Sequence, residues 1–508
     1  MYDLTVQSWI PIQSLSGYLA RVNLGEVFAY AHKFRRFEHP IPIVELGVWR
    51  LAIAIATDVL QPDDDEELRS ILSRGRFEVD PFAEYLQKNV DRFDLFSAKH
   101  PFLQNVSASS EKKPLAALSP LVPSGTNSAH WHKGDESAFS ACPGCAALLV
   151  TTIAPAMTAG GAGLSPTING APPYYALLVG RTLFESIVLN VWANRPGSYR
   201  GGMPAWRSGR APDPTKRRTK ATLLEAYSWQ PRTLRLLPGE SGKCSLCGER
   251  AEPLVRTMYF AKGDSCAIEE WRDPNVAYVI TPEKTTPLRP RKDRDPWRDL
   301  DALLLLPDKN GSMKRRTDRP AIVSQYVQMS QAKDFVAPQM RLRLFGMRTD
   351  LKMKVFEWRA EDLVLPTPLI PNEKLYRTLV TAVSAADATS RALAGAIRRA
   401  TERGSFDHRD LANSLVVPAL RRYWAALRPD FDNLAARVAF RDPRSEAGEI
   451  EQDVLEWATQ RRRAAHDAFD AAIESLRMNA AQLMASEHAR RWLHLALAGV
   501  DGYKPKAA

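Results

Sequence analysis

The sequence predicts an α+β protein: a large mixed α/β N-terminal domain over residues 1–365 that carries two CxxC knuckles, then a C-terminal antiparallel four-helix bundle over residues 372–508. Three observations carry this expectation. At 508 residues the chain is too long for one ordinary domain. Pro366, Pro368 and Pro371 in "VLPTPLIPNEK" form a stiff linker. Beyond them glycine is sparse, alanine is frequent and apolar residues recur every three or four positions, whereas the stretch before them mixes short β-like runs, helical runs and proline-marked basic loops.

In chain order, "DLTVQSWIPI" alternates and is aromatic, which predicts an edge strand ending at Pro11. "IPIVELGVWRLAIAIATDVL", from Ile41 to Leu60, is apolar at helical spacing and predicts a buried helix. "YALLVGRTLFESIVLNVWANRP" is a second apolar segment, ended by the breaker pair Arg195-Pro196. "RLRLFGMRTDLKMKVFEWR" predicts two strands about a turn at Thr349-Asp350. After the linker come four helices. The first is capped by Asn372 and stopped at Gly404, the second covers 407–429 with a kink at Pro418, the third covers 446–478 and the fourth runs from about 480 to 498. Short loops between them predict antiparallel packing.

Lys and Arg outnumber Asp and Glu by 69 to 58, a formal net charge of +11. Such a balance suits nucleic acid or another polyanion, although a mildly basic surface needs no partner. Basic loops near 112, at 212–220, at 288–299 and at 308–320 each read as solvated surface on their own, and four in one domain favour a binding role. The longest apolar run, "LLLL" at 303–306, is far shorter than the roughly 20 residues of a membrane span. The start, "MYDLTVQSWIPIQ", carries an early acid and lacks a basic segment followed by an apolar one, so a cytoplasmic protein without a membrane partner is expected.

In a reducing compartment, cysteine pairs read as metal ligands or redox pairs rather than as structural disulfides. "CPGC" supplies Cys142 and Cys145, and "KCSLCGER" supplies Cys244 and Cys247. Four thiolates are the number a tetrahedral structural zinc takes. Lys243 and Arg250 favour the thiolate form, and Gly144 and Gly248 give each knuckle room to turn. About a hundred residues separate Cys145 from Cys244, so the fold must bring the knuckles together, and two unrelated pairs or four core cysteines stay open as alternatives. Cys266 fits no pair, and no HExxH occurs. His130 and His132 lie just upstream of the first knuckle and read as loop residues more readily than as ligands.

The order of "SWIPI", "KHPFLQ", "SGTNSAHW", "CPGC", a glycine cluster, "GKCSLCG" and a terminal helical region resembles the large-subunit (CasA) family of type I-E CRISPR Cascade surveillance complexes. The resemblance runs the length of the chain. It implies a non-catalytic subunit that reads the protospacer-adjacent motif of double-stranded DNA through the minor groove, starts duplex opening and recruits the helicase–nuclease. It implies the guide RNA 5′ handle and the other Cascade subunits as further partners. It also implies that the two CxxC pairs hold one structural zinc.

By position, Gly160, Gly161 and Gly163 in "MTAGGAGLSP" match the family's groove-entering glycine loop. Without a Cβ, backbone can approach base edges closely, and the degenerate minor-groove code accepts several related motifs. No GxxxxGK[ST] is present, so this is not a nucleotide loop, although an ordinary turn would look the same. Lys262 matches the family's lysine finger, with Asp264 as the competing match two positions on. Asp350, Leu351 and Lys352 stand at the hairpin tip where the family has a duplex-opening wedge, without its glutamine; Leu351 can serve as an apolar wedge. Asn127, His130 and Trp131 match a loop used near the guide's 5′ handle, expected to be disordered in the free protein. Two rival functions remain at this point: a scaffold that binds only proteins and guide RNA, and a metal-dependent nuclease using Asp293, Asp295 and Asp299.

Overall fold

The computed structural model of the chain describes residues 1–108, 111–119, 138–159, 163–292, 294–299, 302–303, 316–332, 335, 339–349, 355–366, 373–401, 408–440, 447–476 and 479–501. They form two compact units. One comprises Met1–Val336 with Arg341–Val364, the other Ala337–Met340 with Leu365–Ala508.

The first unit is built around the Pro42–Leu60 helix, where the apolar run predicts it. Proline at its first position supplies the fixed φ that a helix start tolerates. Its residues from Ile43 to Asp58 are buried, because a helix apolar on every side must be covered on every side. It packs against the Pro143–Thr151, Leu183–Leu189 and Leu223–Tyr227 helices. Arg50, facing inward from it, is paired with buried Asp273 at 2.6 Å and lies over the Tyr227 ring at 4.0 Å. The charge is therefore matched where water is excluded.

Gly47 sets the closest approach of the Pro42–Leu60 helix. A Cβ there would stand 2.4 Å from Thr151 Oγ1 and 2.9 Å from the Thr151 backbone carbon. Gly47→Val therefore overpacks this helix pair and is expected to lower unfolding free energy by roughly 1–3 kcal/mol. Urea unfolding of the variant checks this, and an unchanged midpoint contradicts the close packing.

Around these helices lie small sheets. One has strand order Leu19–Val22, Ile10–Ser14, Phe34–Phe37, all antiparallel. The expected N-terminal strand is thus displaced: Ile10–Ser14 begins where the alternating run was expected to end, and it is central rather than an edge. Pro11 fits because its carbonyl takes Glu38 N at 3.2 Å on the side where the ladder to Phe34–Phe37 starts only at Ile12, so no ladder bond needs its missing N–H. Trp9, just before, is fully buried, with its indole N–H donating to Leu4 O at 3.0 Å.

A second sheet orders Lys112–Pro114, Val255–Lys262 and Arg232–Pro238. The basic stretch near 112 is therefore partly a strand rather than a free loop. A third sheet orders Val355–Pro366, Gln339–Thr349 and Tyr175–Leu178. The expected hairpin strands are its first two members, and residues 350–354 lie outside the described residues. Pro366 ends a strand, and the rest of the proline linker lies outside the described residues.

The second unit contains the helices Glu373–Thr401, His408–Phe440, Ala447–Glu474 and Ala480–Val500. The first packs on the other three, and the second packs on the third. The second helix runs past Pro429, where the expected segment stopped, and holds Pro418 and Pro429 inside it. Tyr423, Leu427, Phe431, Leu434 and Val438 are fully buried at three- and four-residue spacing across that proline. Continuous burial of this face outweighs the one hydrogen bond a proline removes. Asn372 and Gly404, expected as cap and stop, lie outside the described residues.

Candidate metal centre and nucleic-acid interface

The fold brings the two cysteine pairs together. A backbone bridge joins Ala141 to Val255, with both N–H···O distances 2.9 Å. Ser140 N donates to Ser245 Oγ at 3.0 Å, Ser140 Oγ donates to Lys243 O at 3.1 Å, and Ser245 N donates to Ser140 O at 2.7 Å. These last three contacts stitch Ser140, two residues before one pair, to Lys243 and Ser245 at the other. The sulfurs of Cys142, Cys145, Cys244 and Cys247 all lie within 4.8 Å of one another, and Cys142 and Cys247 are 3.8 Å apart. A tetrahedral tetrathiolate site with metal–sulfur bonds of about 2.3 Å requires sulfurs about 3.8 Å apart. Both the donor set and the spacing fit a thiophilic ion.

The two pairs are locally different. Cys142 caps the Pro143–Thr151 helix, and its sulfur accepts from Cys145 N at 3.5 Å. A helix N-terminus favours thiolate charge. Gly144 is therefore a helical residue and not the turn glycine expected; a Cβ there would stand 3.1 Å from Trp9 Cβ, so its role is close packing. The second pair is a turn as expected: Gly248 has φ +78°, and its N–H donates to Cys244 O at 3.0 Å.

Sulfur–sulfur hydrogen bonds from Cys142 and Cys145 pull the Cys244 thiol far down, and the same crowding by Cys142 pushes Cys145 far up. Four adjacent thiols cannot all ionise without a cation among them. Arg21 approaches from outside, 3.2 Å from Glu249. Burial works against its charge, but the hydrogen bond to Cys247 and the negative groups of Cys145, Cys247 and Glu249 together raise it above its ordinary value. His130 and His132 lie outside the described residues, and Cys266 is elsewhere, half-buried with its sulfur 3.8 Å from Ile168 O.

The second cluster joins Gly163 to Lys262. Gly163 is exposed with φ +78°, a conformation that favours glycine. The Lys262 ammonium lies 3.2 Å from the point a Cβ on Gly163 would occupy. Lys262 is exposed at the end of the Val255–Lys262 strand, and among the described residues no carboxylate pairs with it. Its carbonyl accepts from Thr233 Oγ1 at 2.8 Å.

Asp264, the competing match, is 1% exposed. Its carboxylate accepts from Arg210 Nη1 at 3.0 Å, from Arg210 Nη2, and from Asp213 N at 3.0 Å. The hydrogen bond to Asp264 holds the Arg210 guanidinium above its ordinary value against burial. Asp264 is thus a brace inside the turn, and Lys262 is the residue offered to the surface.

Of the other expected site residues, Gly160, Gly161, Asn127, His130, Trp131, Leu351 and Lys352 lie outside the described residues. Asp299, one of the acids weighed for metal-dependent cleavage, is 3% exposed and its Oδ1 accepts from Arg291 and Arg294. Asp293 lies outside the described residues. Sequence reading passed over Arg232, whose guanidinium donates to Thr158 O and Ser165 O, which flank the glycine segment in sequence. Nothing in "QPRTLRLLP" marks it, because an arginine at a strand start reads as surface.

No helix of the described residues is long and apolar enough to cross a membrane. The family model for CRISPR-associated protein Cse1 matches residues 3–468. A protein of Thermus thermophilus described as CRISPR-associated protein CasA/Cse1 is 29% identical over 464 residues, covering 86% of this chain and 87% of that one. The crystal structure of CasA from Thermus thermophilus superposes with a TM-score of 0.78 at 25% identity, covering 98% of this chain and 99% of that chain. A chain of a CRISPR RNA-guided surveillance complex superposes with a TM-score of 0.76 at 20% identity, covering 97% and 99%.

Proposed function

Because the chain belongs to the CRISPR-associated Cse1 (CasA) family, the large subunits of type I-E Cascade surveillance complexes, we propose that it is the subunit that reads the protospacer-adjacent motif for an RNA-guided complex. Basic loops hold the duplex through its phosphates, with an affinity that falls as salt rises. The glycine segment ending at Gly163 enters the minor groove, and Lys262 donates to acceptors there. The hairpin tip around Leu351 and Lys352 then starts opening, and the guide RNA pairs from that point. Exchange of a DNA duplex for an RNA–DNA heteroduplex is near balance, so a few kcal/mol of protein contacts decides whether opening begins.

The observation that carries this reading is the meeting of Gly163 and Lys262: a positive-φ glycine on the surface beside an exposed ammonium that no carboxylate of the described residues pairs with. Such a junction offers bare backbone and one cation to a shallow, acceptor-rich groove, whereas a scaffold surface needs neither. The buried, arginine-bound Asp299 speaks against the nuclease alternative. The four cysteines hold one zinc that is structural, since four thiolates leave no open position for water. The helices after residue 372 act as an antiparallel bundle that packs on neighbouring subunits, and the helicase–nuclease is recruited to the assembled complex in the cytoplasm.

Lys262→Ala tests the reading. In the complex assembled with guide RNA, the variant is expected to weaken binding to motif-bearing duplex by roughly 1–3 kcal/mol while leaving motif-free duplex little changed. An equal loss on both duplexes makes Lys262 a generic phosphate contact and removes the motif-reading role.

A further inference from the structure

We propose that Arg232 is the positioning residue of the Gly163–Lys262 junction, fixing both sides of the glycine segment to the rung of sheet that delivers Lys262. The inference rests on the motif-reading role of that junction and names what holds it in register.

Arg232 is 1% exposed at the start of the Arg232–Pro238 strand. Its Nη2 donates to Thr158 O at 2.7 Å, and its Nη1 donates to Ser165 O and, at 2.8 Å, to Pro231 O. Thr158 and Ser165 flank the glycine segment on its two sides, so one planar guanidinium closes its neck. In the antiparallel ladder Arg232 is the direct partner of Lys262. Directly paired residues point to the same face. One rung therefore holds the segment and presents the lysine, and the Gly163–Lys262 spacing is set by the sheet rather than by the segment itself.

The cost of the arrangement argues for its purpose. Among the described residues Arg232 has no carboxylate partner, unlike buried Arg50 with Asp273. Its charge is met by carbonyls and by the Phe260 ring at 5.7 Å. Burial pulls Arg232 down to about 10, so it stays cationic at neutral pH. A buried cation without a counter-charge is expensive, and a residue needed only for packing would be apolar. Lysine cannot replace it fully, because a single ammonium lacks the fork that spans two separated carbonyls.

The test uses the full chain in the complex assembled with guide RNA, with Arg232→Met, Arg232→Lys and Lys262→Ala. The accepted motif is first identified by selection from a randomised library. Two quantities are read: the ratio of affinities for motif-bearing and motif-free duplex, and hydrogen–deuterium exchange of peptides covering 158–165. Arg232→Met is expected to raise exchange there and to lower the ratio at least ~tenfold, with Arg232→Lys between it and the parent. A purely structural role would weaken both duplexes alike and leave the ratio unmoved. If Lys262→Ala lowers the ratio but Arg232→Met does not, Arg232 is not the positioning residue and the motif-reading role stands. If Lys262→Ala leaves the ratio intact, the motif-reading role fails and the positioning role with it. Should Arg232→Met not fold, Arg232→Lys is read by the same criteria.

Discussion

Cys244→Ser with Cys247→Ser is expected to abolish zinc binding at the proposed four-cysteine site and to unfold the first unit at temperatures the parent withstands. A structural zinc contributes on the order of 10 kcal/mol of apparent binding free energy. An ordinary domain is stable by only about 5–15 kcal/mol, so losing even part of the metal's contribution is decisive. An ion held by the four sulfurs would also tie together two segments about a hundred residues apart, next to the Ala141–Val255 bridge. Elemental analysis of purified protein is expected to give one zinc per chain for the parent and none for the double variant. Cys266→Ser, outside the cluster, keeps the full complement. Chelator added to the parent reproduces the variant's lowered melting temperature. Parent protein that holds no zinc after purification without chelator, or that keeps its melting temperature when chelator is added, removes the site.

Gly163→Val is the second large effect, and it separates function from stability. At φ +78° a β-branched residue is strained by on the order of 1–3 kcal/mol. Its Cβ also lies 3.2 Å from the Lys262 ammonium, so the lysine end must give by a few tenths of an ångström, and the branched methyls crowd it further. Loss of both the backbone approach and the lysine contact is expected to cut motif-bearing duplex binding by about a hundredfold, ~3 kcal/mol. Gly163 is exposed, so complex assembly should persist. Gly75→Val is the matched control, with φ +69° and open space around its Cβ position, in the turn after the Asp65–Ser73 helix. It carries similar backbone strain but nothing to displace. Equal losses in the two variants reduce the Gly163 effect to strain; undiminished binding by Gly163→Val ends the groove-reading proposal.

The two predictions differ in how far the sequence alone supports them. The cysteine pairs are legible because CxxC spacing is local and the thiol count is a chemical fact. That they face each other is not local, since it depends on Ser140 and Ser245 closing a gap no pattern records. Lys262 and Asp264 are two positions apart, and the resemblance leaves open which of the two stands where the family has its lysine. Burial separates them: Asp264 is taken up by Arg210, and Lys262 is left at the surface. Gly144 and Gly248 look alike beside their cysteines, yet one starts a helix against Trp9 and the other turns at positive φ.

By itself, then, the sequence determined what repeats over short range. The Pro42–Leu60 helix, the two strands of the 339–366 hairpin and the long helices after residue 372 follow from apolar periodicity, which acts within a turn or a strand. Tertiary structure alone decided the start of the Ile10–Ser14 strand, the passage of a helix through Pro429, and the burial of Asp264 where Lys262 stays exposed. It also decided the burial of Arg232 against the carbonyls of Thr158 and Ser165. In each of these the local preference is weak or unfavourable, and the outcome turns on which distant groups satisfy a buried backbone, a buried charge or an apolar face.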